Sequence, residues 1–441
     1  MPRKPIVALI GRPNVGKSTL FNRLVGERLA IVEDTAGTTR DRHYADVEWN
    51  GRVMTLVDTG GLVLGETDDI TVEIRSQAQV AIEQADVIAL LVDIGTGLTA
   101  SDHEIADLLR RANKPVLLVA NKSDNLKREM DIHEFYSLGL GEPLPVSAIR
   151  GLSTGDLLDR IVSEVGEMPE EDELPDALKI ALVGRTNVGK SSLLNRLLGQ
   201  KRVIVSSTPN TTRDAIDTIL RYHGQEVVLI DTAGIRRSGR VEQGIEKYSV
   251  LRSLRAISRA DVVLLVVDAA DGVTAQDAHI AGYILDEAKS VAVVVNKWDL
   301  VEKDAHTMPA YEAKVRQALR FMPYVPVVFI SALTGQRIDR LLPLAIRVQQ
   351  ERAERLTTNQ INDMIRKATA RRSPPTKWGK KLRIYYGTQA SVDPPTFVFF
   401  VNDTRLVHFG YRRFLENQIR QRYKFEGTPL KLVFRGHTER R

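Results

Sequence analysis

Two stretches of this chain carry the residue types that hold a nucleotide's phosphates. They are Gly11-Arg12-Pro13-Asn14-Val15-Gly16-Lys17-Ser18 and Gly184-Arg185-Thr186-Asn187-Val188-Gly189-Lys190-Ser191, 173 residues apart. Each matches G-x-x-x-x-G-K-[ST]. In that pattern the glycines let backbone amides turn toward the phosphates, where a Cβ would obstruct them. Lys17 and Lys190 are placed to reach the β- and γ-oxygens, and Ser18 and Ser191 to ligate Mg²⁺. Each motif follows a strand-like run and precedes a helix-like one. The helix start, with Thr19 and Ser192 beside the motif hydroxyl, therefore aims its partial positive charge at the phosphates.

Further motifs repeat in the same order. Thr38-Thr39-Arg40-Asp41 returns as Thr211-Thr212-Arg213-Asp214, and Asp58-Thr59-Gly60-Gly61 as Asp231-Thr232-Ala233-Gly234, both at an offset of 173. Asn121-Lys122-Ser123-Asp124 returns as Asn296-Lys297-Trp298-Asp299 at 175, and Ser147-Ala148 as Ser331-Ala332 at 184. Five motifs recurring in one order mark an internal duplication, with small insertions late in the second copy.

Asp58 and Asp231 each end an apolar run, a position from which a carboxylate holds Mg²⁺ through water. Gly61 and Gly234 then donate a backbone N–H to the γ-phosphate. One Thr of each pair should close on Mg²⁺ when that phosphate is present; Thr39 and Thr212 are favoured because they adjoin Arg-Asp, although spacing does not decide between neighbours. At the base, Asp124 and Asp299 each offer a carboxylate that accepts from both N1–H and N2–H₂ of guanine, a donor pair adenine lacks. Such charge-assisted bonds contribute about 1.5–3 kcal/mol each. With Asn121, Lys122, Asn296 and Lys297, and the Ser147-Ala148 and Ser331-Ala332 turns, both sites read as GTP/GDP sites.

The hydrolytic machinery departs from the Ras pattern, in which a Gln directly follows D-x-x-G and orients water. Leu62 and Ile235 occupy that position, so intrinsic hydrolysis is expected to be slow and completed by a protein activator or an ion. Asn14 and Asn187 supply a carbonyl side chain suited to a monovalent cation; stabilising the loop is their other role.

The elements that must position these residues are legible as alternation. Short β-branched runs, Ile6–Ile10, Val53–Val57, Val87–Val92 and Val116–Ala120, then Ile180–Val183, Val227–Ile230, Val262–Val267 and Val291–Val295, alternate with amphipathic stretches of helical length. Continuous rather than alternating apolar runs predict strands buried on both faces of a mostly parallel sheet. The fold class expected is α/β, with two tandem P-loop domains carrying helices on both sheet faces. After about Glu351 the pattern becomes a small α+β module, with helices over Thr357–Ala370 and Tyr411–Tyr423 and strands over Leu382–Tyr386, Thr396–Val401 and Leu430–Phe434. The expected domains are 1–166, an acidic proline-bracketed linker over 167–176, 177–350, and 351–441.

Length and composition agree: 441 residues suit about three domains. The absence of Cys excludes disulfides, thiolate metal sites and cysteine nucleophiles. Met1-Pro2-Arg3-Lys4 leads straight into a run only a strand long, unlike a signal peptide, and no apolar stretch approaches the ~18 residues of a membrane span, so a cytoplasmic monomer is expected. Net charge of +6 hides an asymmetry: Arg352 to Arg441 holds 20 Lys and Arg against 7 Asp and Glu, +13, leaving −7 for the rest. A basic tail on acidic nucleotide domains is a nucleic-acid-style distribution. Its cations cluster at Arg366, Lys367, Arg371, Arg372, Lys377, Lys380, Lys381 and Arg383, then at Arg412, Arg413, Arg420, Arg422 and Lys424. Strand spacing assigns Tyr385, Tyr386, Phe397, Phe399 and Phe400 to a core rather than to a base-stacking surface.

Over essentially its whole length the chain resembles the bacterial EngA (Der) family, tandem Era-like GTPases followed by a KH-like domain. Besides the doubled motifs, the resemblance rests on Asn296-Lys297-Trp298-Asp299-Leu300, Glu246-Lys247-Tyr248-Ser249 and Tyr411-Arg412-Arg413-Phe414-Leu415-Glu416-Asn417. It implies GTP hydrolysis coupled to late assembly of the large ribosomal subunit, with rRNA as partner. It also implies K⁺ stimulation, which would give Asn14 and Asn187 their cation role. The tail lacks the G-x-x-G loop by which ordinary KH domains clamp a nucleic-acid backbone, so its basic surface must serve instead, or else dock on the acidic domains. Two other readings are a GTPase that gates an RNA-modifying reaction and one that acts at a membrane surface. The first lacks a further catalytic cluster and the second lacks a lipidation signal.

Overall fold

A computed structural model describes residues 4–26, 44–59, 78–79, 81–82, 84–112, 114–124, 130–166, 177–200, 203–205, 217–232, 235, 248–304, 306–377 and 379–436. The chain divides into two compact units, Met1–Leu174 with Glu242–Ser258, and Pro175–Val241 with Arg259–Arg441.

In the first unit β1 (Ile6–Ile10), β2 (Tyr44–Trp49), β3 (Arg52–Asp58), β4 (Val87–Asp93), β5 (Val116–Asn121) and β6 (Leu144–Val146) form one sheet in the order β2-β3-β1-β4-β5-β6. Only the β2–β3 pair is antiparallel. Every residue of β1 and of β4 is buried, which is why both read as unbroken apolar runs. Helix Lys17–Gly26 buries Leu20, Phe21 and Leu24, and helix Thr154–Gly166 buries Leu157, Leu158, Ile161 and Val165, the three-and-four spacing of a core-facing stripe. Strand order reverses at β1, so the crevice at its carboxyl end is where an open α/β sheet takes a ligand. The loop from Gly11 to Ser18 begins there.

The second unit repeats the plan. β7 (Leu178–Val183), β8 (Val203–Val205), β9 (Thr218–Tyr222), β10 (Gln225–Ile230), β11 (Val262–Asp268), β12 (Ser290–Asn296) and β13 (Val327–Phe329) are ordered β13-β12-β11-β7-β10-β9-β8. From β13 to β10 the pairs are parallel; β10-β9-β8 is antiparallel. The same unit contains the tail module: a short hairpin, β14 (Thr376–Lys377) with β15 (Lys380–Lys381), and a sheet β16 (Ile384–Val392), β17 (Pro395–Val401), β18 (Lys431–Gly436). Helices Thr358–Arg371 and Phe409–Arg422 share a core with that sheet through Ile361, Ile365, Leu415, Ile419, Phe397, Phe399 and Leu432.

The tail is bonded to the second sheet. Val291 N–H donates to Gly427 O at 2.7 Å, and Gly427 N–H to Tyr324 O at 3.0 Å. Arg352, only 5% exposed, donates to Ala288 O at 2.7 Å and pairs with Asp393 at 2.5 Å.

Three departures from the sequence reading have physical causes. β3, β4, β5, β11 and β12 each run one residue past the apolar run, ending on Asp58, Asp93, Asn121, Asp268 and Asn296. Parallel pairing, such as Asp93 with Asn121 and Asp268 with Asn296, carries the backbone on past the change to polar side chains. β16 continues to Val392 through Gly387-Thr388-Gln389, because β17 supplies the pairing that its composition does not advertise. Tyr385 and Tyr386 are a correction: at 46% and 39% exposure they lie on the surface, whereas Phe397 and Phe399 are buried as expected. The 167–176 linker lies outside the described residues.

Candidate nucleotide sites

Each phosphate loop is shaped by contacts within the protein. Gly11 has φ +148°, and a Cβ there would stand 2.4 Å from Leu91 O; at Gly184, φ +144°, the distance to Val266 O would be 2.3 Å. A Cβ on Gly16 or on Gly189 would come within 2.3 Å of the Asn121 or the Asn296 amide nitrogen. The glycine requirement is thus set by the neighbouring strand ends as well as by room for phosphate.

Those asparagines explain the close approach. Asn121 Nδ2 donates to Val15 O at 2.7 Å while Asn121 Oδ1 accepts from Ala148 N–H at 3.0 Å. Asn296 does the same with Val188 O at 2.8 Å and Ala332 N–H at 2.9 Å. One buried amide therefore ties the phosphate loop to the serine-alanine turn in both copies.

The lysines close over their loops. Lys17 Nζ lies 2.6 Å from Gly11 O and 2.9 Å from Arg12 O, and Lys190 Nζ lies 2.7 Å from Gly184 O and also bonds Arg185 O. These carbonyls hold an ammonium above the amide-lined start of each helix. Asn14 and Asn187, at φ 66° and 61°, take the left-handed turn that Asn tolerates, and Lys122 Nζ bonds the Asn14 carbonyl at 2.9 Å. Both Asn residues are exposed.

Hard oxygen donors suited to Mg²⁺ converge in the first copy, where Ser18 Oγ donates to Asp58 Oδ2 at 2.5 Å. In the second copy Ser191 Oγ donates to Ile235 O at 2.7 Å, and Asp231 takes a left-handed φ of 54°. The Asp231 amide donates to Asp217 Oδ1 at 2.8 Å, and Asp217 pairs with Arg259 at 2.6 Å. The residue 173 before Asp217 is Tyr44, so the first copy has no carboxylate at the equivalent position.

The base side also differs. Asp124 Oδ1 accepts the Ser147 hydroxyl at 2.6 Å. Asp299 Oδ1 is buried with no hydrogen-bond partner among the described residues, an acceptor available to an incoming donor. Beneath it Trp298 packs against Phe329 and Tyr311, with centroids 4.4 and 5.3 Å away.

Sequence reasoning missed a polar layer beside each loop. Asp93 pairs with Lys122 at 2.7 Å and Asp268 with Lys297 at 2.6 Å, fixing lysines whose backbones are left-handed. Arg12 pairs with buried Asp102 at 3.2 Å and Arg185 with buried Asp277 at 3.1 Å, and both carboxylates also close capping boxes with Thr99 and Thr274. The signal was present: Asp93, Thr99 and Asp102 return as Asp268, Thr274 and Asp277 at the offset of 175 shared by N-K-x-D.

The structure thus brings Gly11, Val15, Gly16, Lys17, Asn121, Lys122 and Ala148 together, as it does Gly184, Val188, Gly189, Lys190, Asn296 and Ala332. Thr19 and Ser192 sit in the first turn of their helices. Ser331 Oγ accepts from Thr334 N–H at 3.0 Å, shaping the second turn. Thr38, Thr39, Gly61, Leu62, Thr211, Thr212 and Gly234 lie outside the described residues.

The basic residues of the tail differ in their surroundings. Lys367 and Arg422 converge on Asp363 at 2.8 and 2.7 Å, and their hydrogen bonds hold its carboxyl down at about 2. Arg420 is structural: its guanidinium lies 3.9 Å from the Tyr324 ring centre and donates to Phe425 O and Thr428 O at 3.0 Å each. Lys377, Lys380, Lys381 and Arg383 are exposed.

Two tandem P-loop GTPase domains followed by a KH-like domain are what this fold and these sites define, and comparison with known families agrees. A model described as "50S ribosome-binding GTPase" matches residues 6–122 and 179–297, and one for the C-terminal "KH-domain-like of EngA bacterial GTPase enzymes" matches 355–435. The chain is 57% identical to the GTPase Der of Moorella thermoacetica over 437 residues, covering 99% of this chain and 100% of that one. It is 55% identical to the GTPase Der of Symbiobacterium thermophilum (98% and 92% covered) and 53% to that of Herpetosiphon aurantiacus (99% and 97%). The chain belongs to the EngA (Der) family of GTPases and is a GTP-hydrolysing enzyme. Among the described residues no helix is long and apolar enough to cross a membrane.

Proposed function

We propose that this GTPase acts in maturation of the large ribosomal subunit, its two nucleotide switches governing how the basic tail meets rRNA. The observation that carries the reading is the bond between Val291 and Gly427, which fastens the tail to the strand ending at Asn296. A state change at the second base site therefore has a covalent and hydrogen-bonded route to the tail. The matching family's description, a ribosome-binding GTPase, supports the direction of the proposal.

In this reading the domains are 1–166, 177–350 and 351–441, joined by the 167–176 linker, and the protein works as a cytoplasmic monomer. Lys17 and Lys190 neutralise the β/γ-phosphates, and the loop amides around Val15, Gly16, Val188 and Gly189 cradle them. Ser18, Thr39 and Asp58 in one site and Ser191, Thr212 and Asp231 in the other would hold Mg²⁺, which would offset the phosphate charge. Gly61 and Gly234 sense the γ-phosphate; Asp124 and Asp299 accept from the guanine edge. With Leu62 and Ile235 in place of a water-orienting Gln, hydrolysis is slow alone; Asn14 and Asn187 would hold a K⁺ that speeds it, or an activator would.

Co-sedimentation of the full chain with ribosomal subunits tests the reading. GTP or a non-hydrolysable analogue is expected to drive association with the large subunit, and Lys17→Ala and Lys190→Ala to weaken it unequally. Association that ignores nucleotide counts against it. For the cation, hydrolysis is compared in K⁺ and Na⁺ buffers; equal rates, or a K⁺ preference that survives Asn14→Ala and Asn187→Ala, remove that role.

A further inference from the structure

Helices Thr358–Arg371 and Phe409–Arg422 cover one face of the β16-β17-β18 sheet, where Phe397, Phe399 and Leu432 are buried. Alternation sends the intervening residues to the other face. There Tyr386 pairs across the ladder with Phe400, and the two rings stack at 4.4 Å between centroids, 15° from parallel. Phe400 stands beside Arg435 in the parallel register, and Thr396 beside Lys431. The irregularity between Ile384 and Tyr386 adds Tyr385 to the exposed surface. Tyr386 is exposed and Phe400 half-buried, and they stand beside cations on the face opposite the helices.

The β14–β15 hairpin delivers further charge to the same end. Asn402, just beyond β17, accepts from Arg383 N–H and donates to Lys381 O, each at 2.9 Å, while Asn402 N–H donates to Arg383 O at 3.1 Å. The exposed Lys377, Lys380, Lys381 and Arg383 are thereby held next to the end of the strand that carries Phe400. Asp403, the next residue, is occupied by Arg405 at 2.8 Å and leaves the patch basic.

We propose that this face binds single-stranded RNA, with unpaired bases stacking on the Tyr386–Phe400 pair while the hairpin lysines and Arg435 contact the flanking phosphates. The proposal rests on the RNA-facing reading above and specifies what is recognised. Duplex RNA buries its base faces and offers mainly phosphates and 2′-hydroxyls, so an aromatic platform has no use for it. Stacking is tolerant of sequence because every base has a π-face, and it supplies a grip that the missing G-x-x-G loop would otherwise provide. The competing occupant, an acidic protein surface, would use the lysines but not the exposed ring.

The test measures binding of the full chain, in GDP and in a non-hydrolysable GTP analogue, to a fluorescent single strand of about 12 nucleotides and to the same strand annealed to its complement. The single strand is expected to bind about tenfold tighter than the duplex in at least one nucleotide state. Tyr386→Ala and Tyr386→Leu are expected to weaken single-strand binding about tenfold without changing its salt dependence, and Tyr386→Trp to restore it. Lys380→Ala with Lys381→Ala is expected to flatten the salt dependence. Unchanged affinity in both Tyr386 variants, or a preference for duplex, overturns the platform; if the lysine variant still acts, the RNA-facing reading survives. No binding of either RNA by the wild-type chain overturns both. The leucine variant retains bulk, so a fold defect confined to the alanine variant leaves the outcome readable.

Discussion

The amide of Val291 donates to the carbonyl of Gly427, joining the first residues of a central strand to a turn of the tail module. Gly427 has φ +69°, and a Cβ would stand 2.7 Å from Val291 O and 2.9 Å from Val348 Cγ1. Gly427→Ala is therefore expected to lower the stability of this unit by about 2 kcal/mol through left-handed strain and lost contact. Urea unfolding followed at Trp298 measures it; a change below about 0.5 kcal/mol would show the turn relaxing freely.

Asn121 and Asn296 each satisfy two backbone groups from different loops. Replacing either by Ala leaves a buried carbonyl and a buried amide unpaired, a cost of about 1–3 kcal/mol for each group. GTP affinity at the altered site should fall at least tenfold, with the other site unaffected. Fluorescent-nucleotide titration in a Lys17→Ala or Lys190→Ala background separates the two.

Base choice should follow a single charge. Asp299 Oδ1 is buried and without a partner among the described residues, and its carboxylate suits two guanine donors; Asp299→Asn supplies a donor instead. Guanine binding at the second site is expected to weaken by about 10²-fold or more, and xanthine nucleotides, with a carbonyl at C2, to gain. Competition binding reports the ratio, and an unaltered guanine preference would falsify the role of Asp299.

Asp217 is expected to matter at one site only. It holds the Asp231 amide and pairs with Arg259, a clamp whose counterpart position in the first copy is Tyr44. Asp217→Ala should weaken Mg²⁺-dependent GTP binding at the second site about tenfold, near 1.4 kcal/mol. Equal losses at both sites would mean a general defect in folding instead.

Asp363 fixes a pH dependence in the tail. Its carboxyl is held at about 2 by hydrogen bonds from Lys367 and Arg422, below the ordinary 3.8. A depressed folded value means the stabilisation is complete above about 4 and is lost as pH falls through about 2. The Asp363 carboxyl carbon should titrate near 2 by NMR, and Asp363→Asn should remove that part of the acid transition; a midpoint near 3.8 would refute the pairing in solution.

The sequence by itself determined the doubled plan. Its motifs are short, contiguous and tied to phosphate and base chemistry, and runs such as Ile6–Ile10 and Val262–Val267 are apolar throughout because both faces are buried. Strands β2, β8 and β9 were not legible: β2 and β9 are half-polar in composition and β8 is only three residues long, so each depends on pairing with a neighbouring strand. Only the tertiary structure decided which polar groups meet: that Asn121 links two loops, that Asp217 clamps the Asp231 backbone, and that Arg420 is a strut while Tyr386 faces outward. Strand spacing allots a side chain to one of two faces, but which face the helices cover is settled only when the layers pack.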